Sequence, residues 1–523
     1  MNKQSFIKGT MILLIAGIIN RILGFIPRIA LPRIIGAEGV GLYQLGYPFF
    51  LVLVTIITGG IPLAIAKLVA EAEAAGQRNR SRAILRVSLT FSILLSIIFM
   101  LLSLIFAPWV THHILTDSRV YYTFLSMSPM IVIVAISSVY RGYFQGLQNM
   151  IPSASSSIIE TLVRILCVLW FSYLMLPLGI PYGAAGAMLG VVAGELIGLA
   201  VILWYYRGHL KREKESFPIK PSIPLLQIRS PHMLRTILGI SIPVTASRLV
   251  GSLSYLLESI TTAQSLALAG IATGMATAQY GALQGMIIPI LLLPGALTTS
   301  LATSLVPSLS EAAARKDNKT IHKRLHQSIR LALVTGAPFV VLMYVLAEPL
   351  CVLLYDNTEI APMLKIMAPF GLFLYIQAPL QATLQALNKA GKALLNTFIG
   401  AVIKIILILQ LASQPEYGIY GAIIAICINI VIVTLMHSYS VARLVKFHIK
   451  LIDLLKVSTG MIIMAAFSHF FFYHFKMDLP WLQLTSSFIA GLIIYLTLMA
   501  VMKLIDLHDL ERVPLIGPWF KAR

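Results

Sequence analysis

Long apolar runs alternate with short polar stretches along all 523 residues. A helix needs roughly 20 mostly apolar residues to cross a bilayer. The pattern predicts fourteen such spans, at 6–32, 42–69, 84–109, 121–143, 153–177, 184–206, 234–258, 280–305, 327–347, 361–385, 393–412, 418–440, 454–475 and 484–505. The expected fold class is an all-α polytopic membrane protein. The opening "MNKQSFIKGTMILLIAG" continues well past a signal-peptide core and shows no convincing cleavage site, so it reads as the retained first span.

The polar stretches carry the topology. "KLVAEAEAAGQRNRSRAILR" follows span two and "YYRGHLKREKESFPIKPSIPLLQIRSPHMLR" follows span six. "EAAARKDNKTIHKRLHQSIR" follows span eight, and "VARLVKFHIKLIDLLK" follows span twelve. All four basic loops follow even-numbered spans, while odd loops such as "THHILTDSR" and "YDNTEI" are poor in Lys and Arg. Cytoplasmic loops collect Lys and Arg, so both termini are expected in the cytoplasm and the protein in the cytoplasmic membrane.

Composition agrees with this reading. The chain is 58% hydrophobic and 11% charged, against roughly a quarter charged in an ordinary soluble protein. Its net charge of +20 follows from the loop residues, so it points to topology rather than to a nucleic-acid partner. Cys167, Cys351 and Cys427 lie far apart without metal-ligand spacing and read as small core residues.

Residues 207–233 are basic and contain Pro218, Pro221, Pro224 and Pro231. They divide an N-terminal lobe, 1–206, from a C-terminal lobe, 234–440; residues 441–523 add two helices and a cytoplasmic tail. The lobes repeat in parallel. "FQGLQN" aligns with "LQALNK", Gln145 to Gln385, and "ETLVRILCVLW" with "GAVIKIILILQ", Arg164 to Lys404, both at a spacing of 240 (385 − 145; 404 − 164). "EAAGQ" is matched to "EAAAR", Glu73 to Glu311, at 238 (311 − 73), and "NRILG" to "SRLVG", Arg21 to Arg248, at 227 (248 − 21). Such repeats suggest a transporter whose substrate sits between rocking lobes. Gly59, Gly60 and Pro62 should interrupt span two, and Pro294 and Gly295 span eight.

Several charges lie inside the apolar runs. A central Arg costs roughly 2.5–3.5 kcal/mol on an insertion scale, so it usually faces a bundle interior or a water-filled cavity. Arg21 and Arg248 occupy one repeat position and should face each other across the cleft. On a straight helix Arg28 shares the face of Arg21 two turns on. Guanidinium groups hold phosphate bidentately, so these three are candidate ligands for a pyrophosphate. Interface snorkelling is the alternative for Arg28 and Arg33.

Glu160 and Arg164 are four apart and suit an internal ion pair. Glu195 lies mid-span without a local partner, open to readings as a neutral structural carboxyl, a partner of Arg164, or a coupling site. Glu258 closes span seven near the outer face, and Lys404 extends the positive cleft. Asn20, Tyr43, Gln44 and Tyr47, with Gln279, Tyr280 and Gln284, offer hydrogen bonds and stacking faces to a sugar. Interhelical glue is the alternative for each, and for Gln377, Gln381 and Gln385. No G-x-x-x-x-G-K-[ST], G-x-S-x-G or H-E-x-x-H occurs, so no ATP motor, catalytic motif or cofactor is expected.

The order "FIKGT", "NRILGFIPR", "GAEGVGLYQL", "KLVAEAEAAGQ", "ISSVYRGYFQGLQNMIP", "SRLVGSLSYLLE", "AQSLALAGIATGMATAQYG", "SLVPSLSEA" and "MAPFGLFLYIQAPLQATLQALNKAG" resembles the polysaccharide-transporter branch of the multidrug/oligosaccharidyl-lipid/polysaccharide exporter superfamily. The resemblance spans essentially the whole chain. It implies a V-shaped fold of fourteen helices and a flippase that moves a lipid-linked oligosaccharide across the cytoplasmic membrane in spore cortex or envelope synthesis. Lipid II flippases of that superfamily use first-helix arginines, and Arg21 and Arg28 fall in the matching pattern, with Pro27 inserted before Arg28. Sodium-binding relatives use acidic ligands in the second lobe that this sequence lacks there.

The expected substrate is a polyprenyl-pyrophosphate-linked sugar such as lipid II, driven by membrane potential or an ion gradient. Expected partners are membrane lipids and cell-wall synthesis enzymes. Two rivals are a cation-coupled drug exporter, which would depend on Glu195, Glu160 or Glu258, and a non-transporting scaffold for cortex-building enzymes.

Overall fold

The computed structural model describes residues 6–216, 230–448 and 450–504. Residues 217–229 of the expected linker and 505–523 of the expected tail lie outside them. Among the described residues the secondary structure is helical throughout. The N-terminal helices are α1 (Phe6–Leu23), α2 (Phe25–Thr58), α3 (Ile61–Ala74), α4 (Arg78–Trp109), α5 (Tyr121–Gly146), α6 (Ile151–Met175) and α7 (Ile180–Ser216). There follow α8 (Ser230–Leu268), α9 (Thr273–Gly281), α10 (Ile288–Leu292), α11 (Gly295–Ala314), α12 (Asn318–Val345) and α13 (Ala347–Tyr355). The series ends with α14 (Ala361–Met367), α15 (Gly371–Ala386), α16 (Ala390–Leu411), α17 (Ile419–Val445), α18 (Leu451–His474) and α19 (Pro480–Val501).

Thirteen helical stretches among the described residues are long and apolar enough to cross a membrane. The first, Ile15–Ala74, runs for 60 residues. At about 1.5 Å per residue that is about 90 Å, far more than one crossing of a ~30 Å hydrocarbon core. The outer faces of the bundle are apolar: Ile22 on α1 is 68% exposed, and Leu166 on α6 is 69% exposed. Lipid makes such exposure costless.

The helix breaks explain where the expected spans begin and end. Pro27 has no N–H for the Leu23 carbonyl, and the chain turns at Gly24, so α1 and α2 are separate. The polar stretch expected between spans one and two is instead continuous with α2, bent at Gly36, whose φ of 69° favours glycine. Helix α2 stops at Thr58, and α3 restarts after Gly59–Gly60. The eighth expected span divides into α9, a π-helical turn at Ala282–Ile287, α10 and α11, the last beginning after Pro294. Both interruptions lie where Gly and Pro predict them.

The chain forms two compact units, Met1–Gly285 and Met286–Arg523, whose boundary falls inside that π-helical turn. In the first, the core of Leu42, Leu45, Ile57, Phe124 and Met188 includes Tyr280 from α9. Glycines admit the close approaches. A Cβ at Gly41 would meet the Thr277 carbonyl, one at Gly281 that of Ala37, and one at Gly60 the Ser241 backbone. Helices α8 and α9 therefore seat backbone-to-backbone against α2 and α3.

The second unit packs α11, α12, α15, α17, α18 and α19 around Leu325, Ala337, Leu384, Val441, Met464 and Tyr495. At its polar end Asp317 caps α12, accepting from the Thr320 hydroxyl at 2.5 Å and from the Thr320 N–H at 3.0 Å, and these bonds hold its carboxyl below the usual range.

The backbone turns record the internal repeat. Left-handed residues recur at Gly76 and Lys316, Thr116 and Asp356, and Gln148 and Asn388, each 240 apart (316 − 76; 356 − 116; 388 − 148). Gly179 and Gly418 follow at 239 (418 − 179) and Gly36 and Gly270 at 234 (270 − 36). Closing hydrogen bonds also match: Ala75 to Glu71 corresponds to Arg315 to Glu311, and Leu147 to Tyr143 corresponds to Leu387 to Thr383. This corrects one alignment. Glu311 corresponds to Glu71, not Glu73, at the same spacing of 240 (311 − 71).

Candidate functional site

The junction of α1 and α2 positions the first arginines. Asn20 donates to Ser157 on α6 at 2.7 Å, which ties the end of α1 to the bundle. Arg21, the next residue, is exposed. The expected two-turn relation between Arg21 and Arg28 passes through the break at Gly24, so Arg28 belongs to a different helix from Arg21. Arg248 on α8 is exposed and makes no hydrogen bond or ion pair with a described residue. A Cβ at Gly17 or Gly251, one turn from Arg21 and Arg248 respectively, would meet open space.

A group of tyrosines follows Arg28 on the same helix. Tyr43 and Tyr47, one turn apart on α2, lie parallel with ring centroids 6.2 Å apart and planes at 9°. Arg28 acts electrostatically on both and on Tyr255 of α8. The Tyr255 hydroxyl reaches the Gln44 side chain at 3.5 Å. Beyond it, Gln284 donates to the buried Glu258 carboxylate at 2.7 Å, with Tyr280 buried alongside. Gln279 lies on α9, with its buried Oε1 unmatched by a hydrogen-bond donor. The expected position of Glu258 is corrected: α8 continues ten residues past it to Leu268, so it is buried within the helix instead of closing it.

A second polar group lies beside the tyrosines. Glu160 is buried on α6 and receives two guanidinium groups, Arg141 of α5 at 2.6 Å and Arg164 at 3.2 Å. The expected Glu160–Arg164 pair is thus one half of a triad. Arg164 also donates to Thr161 at 3.3 Å and acts on Tyr43 and Tyr47. Glu195 lies on α7 where Gly194 and Gly198 let that helix approach α6, since a Cβ on either would press on the Glu160 and Arg164 positions. Lys404 is buried on α16 in the second unit, and Gln377 acts there as interhelical glue, donating to the Ile430 carbonyl and the Thr434 hydroxyl at 2.9 Å.

A third group was missed by sequence reasoning. Arg119 pairs with Asp117 at 2.9 Å and with Glu38 at 2.6 Å, and Thr277 donates to the buried Asp117 at 2.8 Å. Asp117 and Arg119 resembled ordinary loop charges, and only the 160-residue contact with Thr277 distinguishes them. Arg141 was likewise hidden near the end of span four. Its signal was an unmatched cation one hairpin away from Glu160.

A many-pass helical bundle that keeps arginines, carboxylates and paired tyrosines among its apolar helices suits a membrane transporter, and its relatives show the chain to be one rather than an enzyme. The chain belongs to the Polysaccharide biosynthesis protein family, which it matches over residues 6–313, within the multidrug/oligosaccharidyl-lipid/polysaccharide exporter superfamily; residues 252–409 match the MatE family. It is 42% identical over 520 residues to Stage V sporulation protein B of Bacillus subtilis (strain 168), covering 99% of both chains. It is 24% identical to the Lipid II flippase MurJ of the same organism, over 81% of this chain and 80% of that one. A solved structure of Lipid II flippase MurJ in an inward closed conformation shares the fold, with TM-score 0.70, 18% identity and coverage of 94% and 98%.

Proposed function

We propose that this transporter flips a polyprenyl-pyrophosphate-linked sugar, lipid II or a similar peptidoglycan precursor, across the cytoplasmic membrane during spore cortex or envelope synthesis. One observation carries the reading most strongly: the exposed Arg28 acts electrostatically on the parallel Tyr43–Tyr47 pair of its own helix. A guanidinium binds a pyrophosphate, and aromatic faces bind sugar rings. The name Lipid II flippase on a relative sharing the fold along most of its length supports the same substrate class.

In this reading Arg21, Arg248 and Arg28 hold the pyrophosphate. Asn20, Tyr43, Gln279, Tyr280, Gln284 and Lys404 supply the polar lining. The lobes 1–206 and 234–440 alternate access around the substrate, with both termini in the cytoplasm. Cell-wall synthesis enzymes receive the product. A charge moving through 100 mV gains about 2.3 kcal/mol, so an anionic pyrophosphate leaving a cell with a negative interior travels downhill without ATP.

The test is translocation of labelled lipid II in vesicles reconstituted with the full chain. Transport that disappears in Arg21→Ala/Arg248→Ala supports the assignment. Undiminished transport by that double variant refutes the arginine site, and no transport by the wild type refutes the function.

A further inference from the structure

The triad on α5 and α6 has hydrogen-bonding capacity that its own contacts do not use. Glu160 is buried, and both its oxygens face guanidinium groups, Oε2 toward Arg141 at 2.6 Å and Oε1 toward Arg164 at 3.2 Å. The two arginine side chains stay 29% and 32% exposed. A guanidinium carries five N–H donors. Arg164 directs one to Glu160 and one to the Thr161 hydroxyl. Arg141 directs one to Glu160, and its buried Nε–H has no partner among the described residues. A buried donor without a partner calls for an explanation, and a ligand supplies one.

The helix sets where the spare donors point. Ser157, Thr161 and Arg164 share one face of α6, and the Thr161 hydroxyl donates to the Ser157 carbonyl at 2.9 Å. The exposed Ile159, Leu162 and Leu166 lie on the opposite face, about 180° away at roughly 100° per residue. That apolar face suits lipid, so the exposed part of Arg164 opens to the bundle interior. Helix α7 closes another side: a Cβ at Gly194 would meet the Arg164 Cβ, and one at Gly198 the Glu160 side chain. From α1, Asn20 donates to Ser157 at 2.7 Å, with Arg21 next in sequence. Arg164 stands two turns, about 10 Å, along α6 from that contact.

We propose that Arg141 and Arg164, held by Glu160, form a second anion subsite that takes a carboxylate of the substrate's headgroup. The transporter thereby selects lipid-linked saccharides that carry an acidic peptide. A pyrophosphate held at Arg21, Arg28 and Arg248 occupies the first site, so a second anion on the same substrate belongs to its headgroup. Sugar hydroxyls are neutral and would not offset the cost of two cations in an apolar bundle. A carboxylate matches the guanidinium fork. Selection during transport rests on the flippase reading; anion binding at the arginine pair does not.

The test compares translocation of three substrates by the full chain in vesicles. They are lipid II, lipid II with its peptide carboxylates amidated, and the same polyprenyl-pyrophosphoryl saccharide without a peptide. The wild type should move lipid II about tenfold faster than either of the others, the factor expected of one charge-assisted contact. Arg164→Gln leaves Arg141 and Glu160 as a matched pair and should bring that ratio to one. Arg164→Lys keeps a cation beside Glu160 and should give an intermediate ratio, which covers poor folding of the glutamine variant. A ratio that survives in Arg164→Gln, or is absent from the wild type, overturns the subsite and leaves the flippase reading intact. If the wild type moves none of the three, that reading fails and binding decides the subsite. The saccharide-peptide without lipid or pyrophosphate should then bind the full chain in nanodiscs about tenfold more tightly with free than with amidated carboxylates, and Arg164→Gln should lose the difference. Equal binding of the two forms by the wild type, or a difference that persists in Arg164→Gln, overturns it.

Discussion

The hydroxyl of Thr277 donates to the buried carboxylate of Asp117 at 2.8 Å, across 160 residues of sequence. The same carboxylate holds Arg119, which extends to Glu38 on α2. One short segment thus ties α9 to α2 at the polar end of the bundle where loops 115–120 and 269–272 lie.

Removing that carboxylate should therefore cost more than removing the hydroxyl. Asp117→Ala leaves Arg119 half-buried with one partner fewer and should lower stability by about 3 kcal/mol. Thr277→Val removes one hydrogen bond to a charged group and should cost about 2 kcal/mol. Thermal unfolding of the purified variants measures both. Equal, negligible losses would mean the network is not holding these helices.

Glu160 makes a second stability prediction. Glu160→Ala leaves Arg141 and Arg164 without their buried counter-ion and should cost about 3 kcal/mol. Replacing all three by methionine removes the uncompensated charge together with the pair, so the triple variant should unfold at a higher temperature than the single one. The order of the two melting temperatures is the readout.

The close approach of α9 to α2 predicts a steric effect. A Cβ at Gly41 or Gly281 would collide with carbonyl groups of the facing helix, which are backbone and cannot swing aside. Gly41→Val and Gly281→Val should each cost about 2 kcal/mol by overpacking, while Gly251→Ala should be nearly neutral because open space lies beside it. Comparing folded yield and melting temperature across the three separates this from a general intolerance of larger residues.

These glycines show what the sequence could and could not convey. Apolar runs and basic loops were enough for the helical membrane fold, because lipid allows few alternatives. Gly59–Gly60 and Pro294–Gly295 also marked real helix breaks, since proline and glycine act locally. Gly36 was less legible: a polar stretch suggested a loop, whereas one left-handed glycine bends a continuous helix. The Asp117–Thr277 contact could not be read at all, because no local pattern reports which loop meets which helix. Glu195 illustrates the same point. Its lack of a sequence neighbour was correct, yet Gly194 and Gly198 seat its helix against the one that carries Glu160 and Arg164.

The substrate site predicts a graded series. Arg28→Ala should slow lipid II translocation by about tenfold, equivalent to about 1.4 kcal/mol. Arg28→Lys should recover only part of it, because an ammonium cannot form the planar two-point contact. Tyr43→Phe keeps the aromatic face and should transport better than Tyr43→Ala. Initial rates in vesicles, normalised to inserted protein, give the order.

The most direct measurement of the central claim is the rate of labelled lipid II translocation in vesicles containing the full chain, with and without an imposed potential that makes the cytoplasmic side negative. Protein-dependent translocation that accelerates under this potential, and is lost in Arg21→Ala/Arg248→Ala, is the expected result. Vesicles that translocate lipid II no faster than protein-free controls under any potential would contradict the account.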